Sequence, residues 1–182
     1  MTGSREASSY DYELPPERIR LVPPKRREES RLAVVPRRPE EDRPLLFRSV
    51  SDLPEILRPG DRLVVNDSRV VPARTRGRTS RGREVEILFL GPFGGGSPHK
   101  VRFLAKGLGQ ETRLALFSGR GELRMEGYDE NQGCFSGEYR GEKPLDGELE
   151  AEGEMPLPPY IAKRRRAEAS DRERYQTVYA RV

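Results

Sequence analysis

Short runs of period two dominate the pattern of apolar and polar positions. Val85, Ile87 and Phe89 alternate with Glu86 and Leu88, Val101 and Phe103 flank Arg102, Leu114 and Leu116 flank Ala115, Leu123 and Met125 flank Arg124, and Phe135 begins a further run. A two-residue period sends successive side chains to opposite faces of a strand. Gly- and Pro-rich breaks, Gly91 to Pro98 among them, separate the runs at the spacing of an antiparallel barrel or sandwich. About Thr75 to Pro144 is therefore expected to be a small all-β module.

Upstream, Arg31 to Val35 and Leu45 to Phe47 read as two strands of a hairpin joined by a charged turn from Pro36 to Pro44. Ser51 is the expected N-cap of a helix whose apolar face is Leu53, Ile56 and Leu57, and Pro59-Gly60 stops it. Leu63 to Val65 reads as a buried strand that breaks on Asn66-Asp67-Ser68, three residues that hydrogen-bond their own backbone in turns. Val70-Val71 then ends on Pro72, which suits a strand end because proline lacks a ladder N–H.

Downstream, three prolines in the four positions 156–159 impose an extended backbone, with Met155, Leu157 and Ile161 packing on the protein itself. Ser170-Asp171-Arg172-Glu173 is a capping-box sequence, so a helix should start at Asp171 with Tyr175, Val178, Tyr179 and Val182 as its apolar stripe. Residues 1–9 read as a disordered polar tail.

Composition narrows the class. The 182 residues are 34% hydrophobic and 35% charged, with a net charge of +4. The core must be modest, and no apolar run approaches the roughly 18 residues of a membrane span. Cys134 is the single cysteine, which rules out an internal disulfide and points to a reducing cytoplasm. His99, the single histidine, is expected as a solvated loop residue.

Charge is unevenly placed. Six arginines face one acid from Val64 to Arg83, eleven acids face four bases from Gly119 to Glu154, and seven bases face three acids from Tyr160 to Val182. Basic segments bracketing an acidic one fit either a face directed at a polyanion or a well-solvated surface. Lys163 to Arg166 offers four consecutive cations for phosphate. Residues alone reveal no reaction: there is no Ser-His-Asp set, no metal-spaced cluster, and the glycines of 91–98 match no nucleotide-binding fingerprint.

Four blocks carry more information. Asn66-Asp67-Ser68-Arg69-Val70-Val71-Pro72-Ala73-Arg74 resembles the N-D-T-R-V-I-P-A-R block of the S-adenosylmethionine:tRNA ribosyltransferase-isomerases of queuosine biosynthesis. In the same order, Asp11-Tyr12-Glu13-Leu14-Pro15 resembles that family's opening segment and Ser30-Arg31-Leu32 its S-R-L. Gly153 to Ile161 followed by Asp171 to Ala180 resembles its G-E-M-P-L-P-P-Y-I and D-R-E-R-Y-Q-T-V-Y-A. The resemblance covers Tyr10 to Arg181 but only about the first half of a family member. The family's next block, P-T-A-G-L-H-F-T, would follow where this sequence reaches Val182. Leu21 stands where the family tends to have glutamine, and the histidine usual upstream of Phe47 is missing.

The resemblance implies a fold that is α/β plus all-β, the first part of a mixed α/β domain (10–74) with an inserted antiparallel β-barrel domain (75–147) and a return to the α/β domain at 148–182, there truncated. It implies transfer and isomerisation of the ribosyl group of S-adenosylmethionine onto the aminomethyl-deazaguanine wobble base of tRNA, giving epoxyqueuosine. S-adenosylmethionine enters as a substrate, no metal is implied, and the partner is a tRNA anticodon arm bound by a cytoplasmic protein, a monomer when complete. This portion by itself is not expected to turn over. A non-catalytic RNA-binding β-module is the alternative.

On this reading Asp67 positions or polarises the acceptor and Asn66 reads a base edge or ribose hydroxyl. Arg31, Arg69 and Arg74 recognise phosphate or carboxylate, Tyr160 and Tyr179 stack on a base, and Gln176 joins them in binding substrate. Arg76, Arg78, Arg81, Arg83, Lys163, Arg164 and Arg165 would contact RNA. Each has a structural counterpart: Arg31 and Asp67 as an internal ion pair, the tyrosines as core.

Overall fold

The computed structural model describes residues 6–36, 44–94, 98–109 and 111–180. The chain divides into two compact units, 1–64 and 65–182.

In the first unit, β1 (Arg31–Val34) pairs antiparallel with β2 (Leu46–Ser49), Arg31 facing Ser49 and Val34 facing Leu46. The expected hairpin is present, and residues 37–43 of its turn lie outside the described residues. A single 3-10 turn, Val50–Asp52, runs into α1 (Leu53–Ile56). Its capping box joins Ser49 to Asp52, whose carboxylate accepts the Ser49 N–H at 2.9 Å. The cap is thus two residues before the expected Ser51, because the 3-10 turn moves the helical start upstream and places Ser51 inside it. Residues 1–5 of the expected tail lie outside the described residues, and Ala7–Tyr10 forms one exposed 3-10 turn. No described residue of this unit is fully buried.

The expected strand at Leu63–Val65 does not form. Among the described residues no ladder partner runs beside it, and Val64 is 93% exposed. Val70-Val71 is likewise outside any ladder. The Ala73 carbonyl accepts the Phe89 N–H at 2.9 Å, and ladder pairing runs from Arg74 onward.

The second unit is built on a closed antiparallel barrel ordered β3-β4-β5-β8-β7-β6. Its strands are β3 (Arg74–Arg78), β4 (Glu84–Gly91), β5 (His99–Ala105), β6 (Arg113–Leu116), β7 (Gly121–Asp129) and β8 (Cys134–Gly141). The contact between Arg78 and Ala115 closes it, so the barrel itself has no unpaired edge strand. Register shifts at Phe89/Gly91 and Met125/Gly127 supply the local bending that closure needs.

Alternation decides the core. Val85, Ile87, Phe89, Val101, Phe103, Leu114, Leu116 and Leu123 point inward and are buried, and Leu145 and Leu149 of α2 (Leu145–Glu152) join the same cluster. The polar face of α2 is tied down by Arg120 of the barrel, which reaches Glu148 at 3.2 Å and also pairs with Glu152. His99 is corrected from loop to strand. It opens β5 opposite Tyr139, the two rings 5.6 Å apart edge to face.

The C-terminal segment follows in α3 (Pro159–Ala162) and α4 (Asp171–Arg174). Met155, Leu157 and Ile161 are buried as expected. The helix at Asp171 lasts one turn, so the expected stripe never forms: Val178 is 67% and Tyr179 50% exposed, and Val182 lies outside the described residues. Among the described residues no helix is long and apolar enough to cross a membrane.

Candidate functional site

β3 is a strand written in arginine. Thr75 and Gly77 turn inward and are buried, while Arg74 and Arg76 point out between them. Glycine at 77 lets the strand lie close to the core, where a Cβ would sit 2.8 Å from Ile87 Cδ1 and 3.0 Å from Leu116 Cδ2 and these side chains would have to shift. Arg74 also pairs outside the barrel. Its N–H donates to the Glu154 carbonyl at 3.2 Å, and the Glu154 N–H donates back at 2.7 Å. That bridge lays the proline-rich segment beside the outer face of β3.

A groove of about 520 Å³ opens between them, lined by Arg74, Arg76, Glu86, Leu88, Leu104, Ala105 and Lys106 on the barrel side. Glu154, Leu157, Pro159, Ala162, Lys163, Arg165, Arg166 and Ala167 close the other side. Six cations thus face two carboxylates. Arg74 sits 3.7 Å from Glu86 and Arg76 3.9 Å from Glu154. Arg74 Nη2 donates to the Leu157 carbonyl at 3.4 Å, and its Nε is buried with no partner among the described residues.

Arg165 is held from behind. Its two terminal nitrogens donate to the fully buried Asp171 carboxylate at 2.6 and 2.8 Å, and the Glu168 N–H adds a third bond at 2.8 Å. The Arg165 guanidinium holds the Asp171 carboxyl below its ordinary value, against the burial that would raise it. Lys106, Lys163 and Arg166 make no ion pair among the described residues.

The Asn66–Arg69 turn adjoins a second recess, which it lines through Arg69 alone. Asn66 Oδ1 accepts the Ser68 N–H at 2.9 Å, the side-chain turn its sequence favours, and Asp67 is exposed. Val70 donates its N–H to Gln176 Oε1 at 2.8 Å, and Gln176 Nε2 donates to the Val70 carbonyl at 2.7 Å. Arg69 reaches Glu150 at 3.1 Å, and Arg172 donates to the carbonyls of Glu150 and Gly153 at 2.6 and 2.8 Å. Arg69, Pro72, Glu150, Met155, Arg172, Gln176, Thr177 and Ala180 line a cavity of about 460 Å³.

The residues expected to act together thus fall into several places. Arg74, Arg76, Lys163 and Arg165 meet in the groove, and Arg69 meets Gln176 in the second recess. Arg78 turns to a third depression with Arg113, Arg120 and Arg140 at one end of the barrel. Arg81 lies exposed in the β3–β4 turn, and Arg83 donates to the Leu108 carbonyl at 3.4 Å. Arg164 is exposed just beyond α3, and Tyr160 and Tyr179 are 55% and 50% exposed. Arg31 begins β1 in the other unit.

Sequence reasoning named Arg166 within the run Lys163 to Arg166 but missed Lys106 and the anchoring part of Asp171. The Arg-small-Arg-small-Arg alternation of 74–78 was the available signal for β3, but a search for apolar periodicity passes over it.

Comparison with known proteins supplies the context. A family profile described as "Queuosine biosynthesis protein" matches residues 7–182. A relative from Anaeromyxobacter sp. (strain Fw109-5), named S-adenosylmethionine:tRNA ribosyltransferase-isomerase, is 41% identical over 180 residues, covering 96% of this chain and 49% of the relative. Relatives of the same name from Xylella fastidiosa (strain M12) and Caulobacter sp. (strain K31) are 40% and 39% identical, again over 96% of this chain and 48% and 50% of their own lengths. The chain spans about half the length of the curated relatives it matches. With the profile running through both compact units, the chain belongs to the queuosine biosynthesis protein family.

Proposed function

We infer that this chain is part of an enzyme that transfers and isomerises the ribosyl group of S-adenosylmethionine onto the aminomethyl-deazaguanine wobble base of tRNA, giving epoxyqueuosine, adenine and methionine. The observation that carries this is the roughly 40% identity to relatives bearing the corresponding name, sustained along 96% of the chain. The partner is the anticodon arm of tRNA.

Such a reaction needs the acceptor amine in its nucleophilic, neutral form, and donors that hold the ribose and the departing adenine. Asp67 is the carboxylate assigned to the amine. It stands exposed at the tip of its turn, with no ion pair among the described residues. Asn66 has one oxygen committed to Ser68, which leaves its amide nitrogen to donate to a ribose hydroxyl or base edge.

Arg31 and Arg69 recognise the methionine carboxylate or phosphate, and the exposed rings of Tyr160 and Tyr179 stack on bases. Gln176 acts through Val70 as a positioning residue, holding the turn that carries Asn66 and Asp67. Arg78, Arg81, Arg83 and Arg164 add phosphate contacts.

The test is a chimera in which these residues replace the matched half of the Anaeromyxobacter relative. It should release adenine from S-adenosylmethionine only when tRNA carrying the aminomethyl-deazaguanine base is present. Asp67→Asn should slow release by about 10²- to 10⁴-fold, the span of a positioned acid–base group. A folded chimera with no tRNA-dependent release would sink the reading.

A further inference from the structure

We propose that the groove between β3–β5 and the 154–167 segment seats one unstacked nucleotide of an RNA strand. Its phosphates would lie on Lys106, Lys163 and Arg166, and its base on Leu88 and Leu104. The inference rests on the RNA partner of the proposed function.

Charge selects the class of ligand. Arg74 and Arg76 already face Glu86 and Glu154, and Arg165 is spent on Asp171. Lys106, Lys163 and Arg166 remain as three cations around one opening, and the two carboxylates of the lining, Glu86 and Glu154, already face Arg74 and Arg76. S-adenosylmethionine is a poor match, since its sulfonium and ammonium outweigh its one carboxylate and the rim repels them. A phosphodiester strand is the complement, and each phosphate neutralised releases condensed counterions.

The floor selects the rest. Leu104 is 40% exposed on the outer face of β5, directly across the ladder from half-buried Leu88. Apolar surface ringed by cations is what a splayed base and its flanking phosphates require, and single-stranded loops are where RNA offers such bases. The volume of about 520 Å³ falls inside the about 300–1,000 Å³ of small-ligand clefts, enough for one nucleotide unit and too little for a duplex.

The experiment measures anisotropy of a labelled anticodon stem-loop RNA with the 182-residue chain across a salt series. With about 0.7 of a counterion released per single-strand phosphate, K106Q/K163Q/R166Q should lower the slope of log affinity against log salt by ~2. Over a fourfold rise in salt the parent then loses about 20-fold more affinity than the variant. Lys106→Gln alone, on the barrel side, should move the slope by ~0.7, which keeps the test open if the triple variant folds poorly. Leu104→Ser should weaken binding and leave the slope unchanged, because losing an apolar floor releases no ions. If the stem-loop binds with the same slope in all variants, the groove assignment is overturned while the RNA partner stands. A parent chain that does not bind the stem-loop overturns the groove assignment, while the RNA partner is judged separately by the tRNA dependence of the chimera. If 5′-AMP binds as tightly as the stem-loop, a free nucleotide is the occupant and the strand assignment falls.

Discussion

Gln176 and Val70 form a closed two-point pair, in which the side-chain amide takes the Val70 N–H at 2.8 Å and gives its own N–H to the Val70 carbonyl at 2.7 Å. The pair imitates a step of β-ladder across 106 positions of sequence. It fixes the stretch after the Asn66–Ser68 turn, where no strand partner is present among the described residues. A backbone that would otherwise lack partners is satisfied by one side chain.

Gln176→Ala should free both Val70 groups. Two hydrogen bonds at a half-buried site amount to about 1–3 kcal/mol of local stability. Amide exchange at Val70 should accelerate and proteolysis near Ser68 should increase. Gln176→Glu should be worse than its size suggests, because a carboxylate would face the Val70 carbonyl. Unchanged exchange at Val70 in both variants would show that the pair does not hold the turn.

The Arg165–Asp171 pair predicts acid sensitivity of one segment. Arg165 holds the native Asp171 carboxyl below its ordinary value of 3.8, so folding favours the ionised form. The pair's stabilisation is complete above that ordinary value and is lost as pH falls through the lower native one. Asp171→Asn should cost at most the about 3 kcal/mol at the lower end for breaking a buried pair, since Arg165 can swing into the groove. Urea midpoints of parent and variant should differ at neutral pH and converge below about pH 4. A constant gap down to pH 2 would contradict the assignment.

Gly153 sits where α2 meets the chain before β3. A Cβ there would lie 2.0 Å from the Pro72 carbonyl oxygen and 2.4 Å from that of Leu149. Both are backbone atoms and cannot turn away. Gly153→Ala should destabilise the second unit by about 1–3 kcal/mol or more, as overpacking does. It should also disturb the neighbouring Arg74–Glu154 bridge that frames the groove. A melting temperature within a degree of the parent would refute the close approach.

Leu149 tests whether α2 belongs to the barrel core. It is fully buried in the same cluster as Ile87 and Leu116. Leu149→Ala should cost about 2–5 kcal/mol, in one cooperative transition. A separate early transition confined to α2 would mean that the helix packs independently of the strands.

Much of the architecture was legible in the residues. Alternation at 85–89, 101–103, 114–116 and 123–125 marked four strands, and Phe135 a fifth, because the pleat is a property of each strand alone. Four sequence blocks from Asp11 to Ala180 were enough to point to the family. The strand β3 escaped because its period is carried by arginine, and the strand expected at Leu63–Val65 failed because an apolar run becomes a strand only beside a partner.

The commitments of individual side chains were decided by tertiary structure. Nothing local separates Arg165, locked on Asp171, from Arg166, which lines the groove without an ion pair among the described residues. Gln176 became a backbone partner of Val70 because the folded chain brought residue 70 within 3 Å of it. Strand propensity and turn chemistry act over a few residues and can be read in order along the chain. Ion pairs, backbone clamps and the walls of a groove depend on which distant segments pack together, and that is set by the closed barrel and the segment bridged to its outer face.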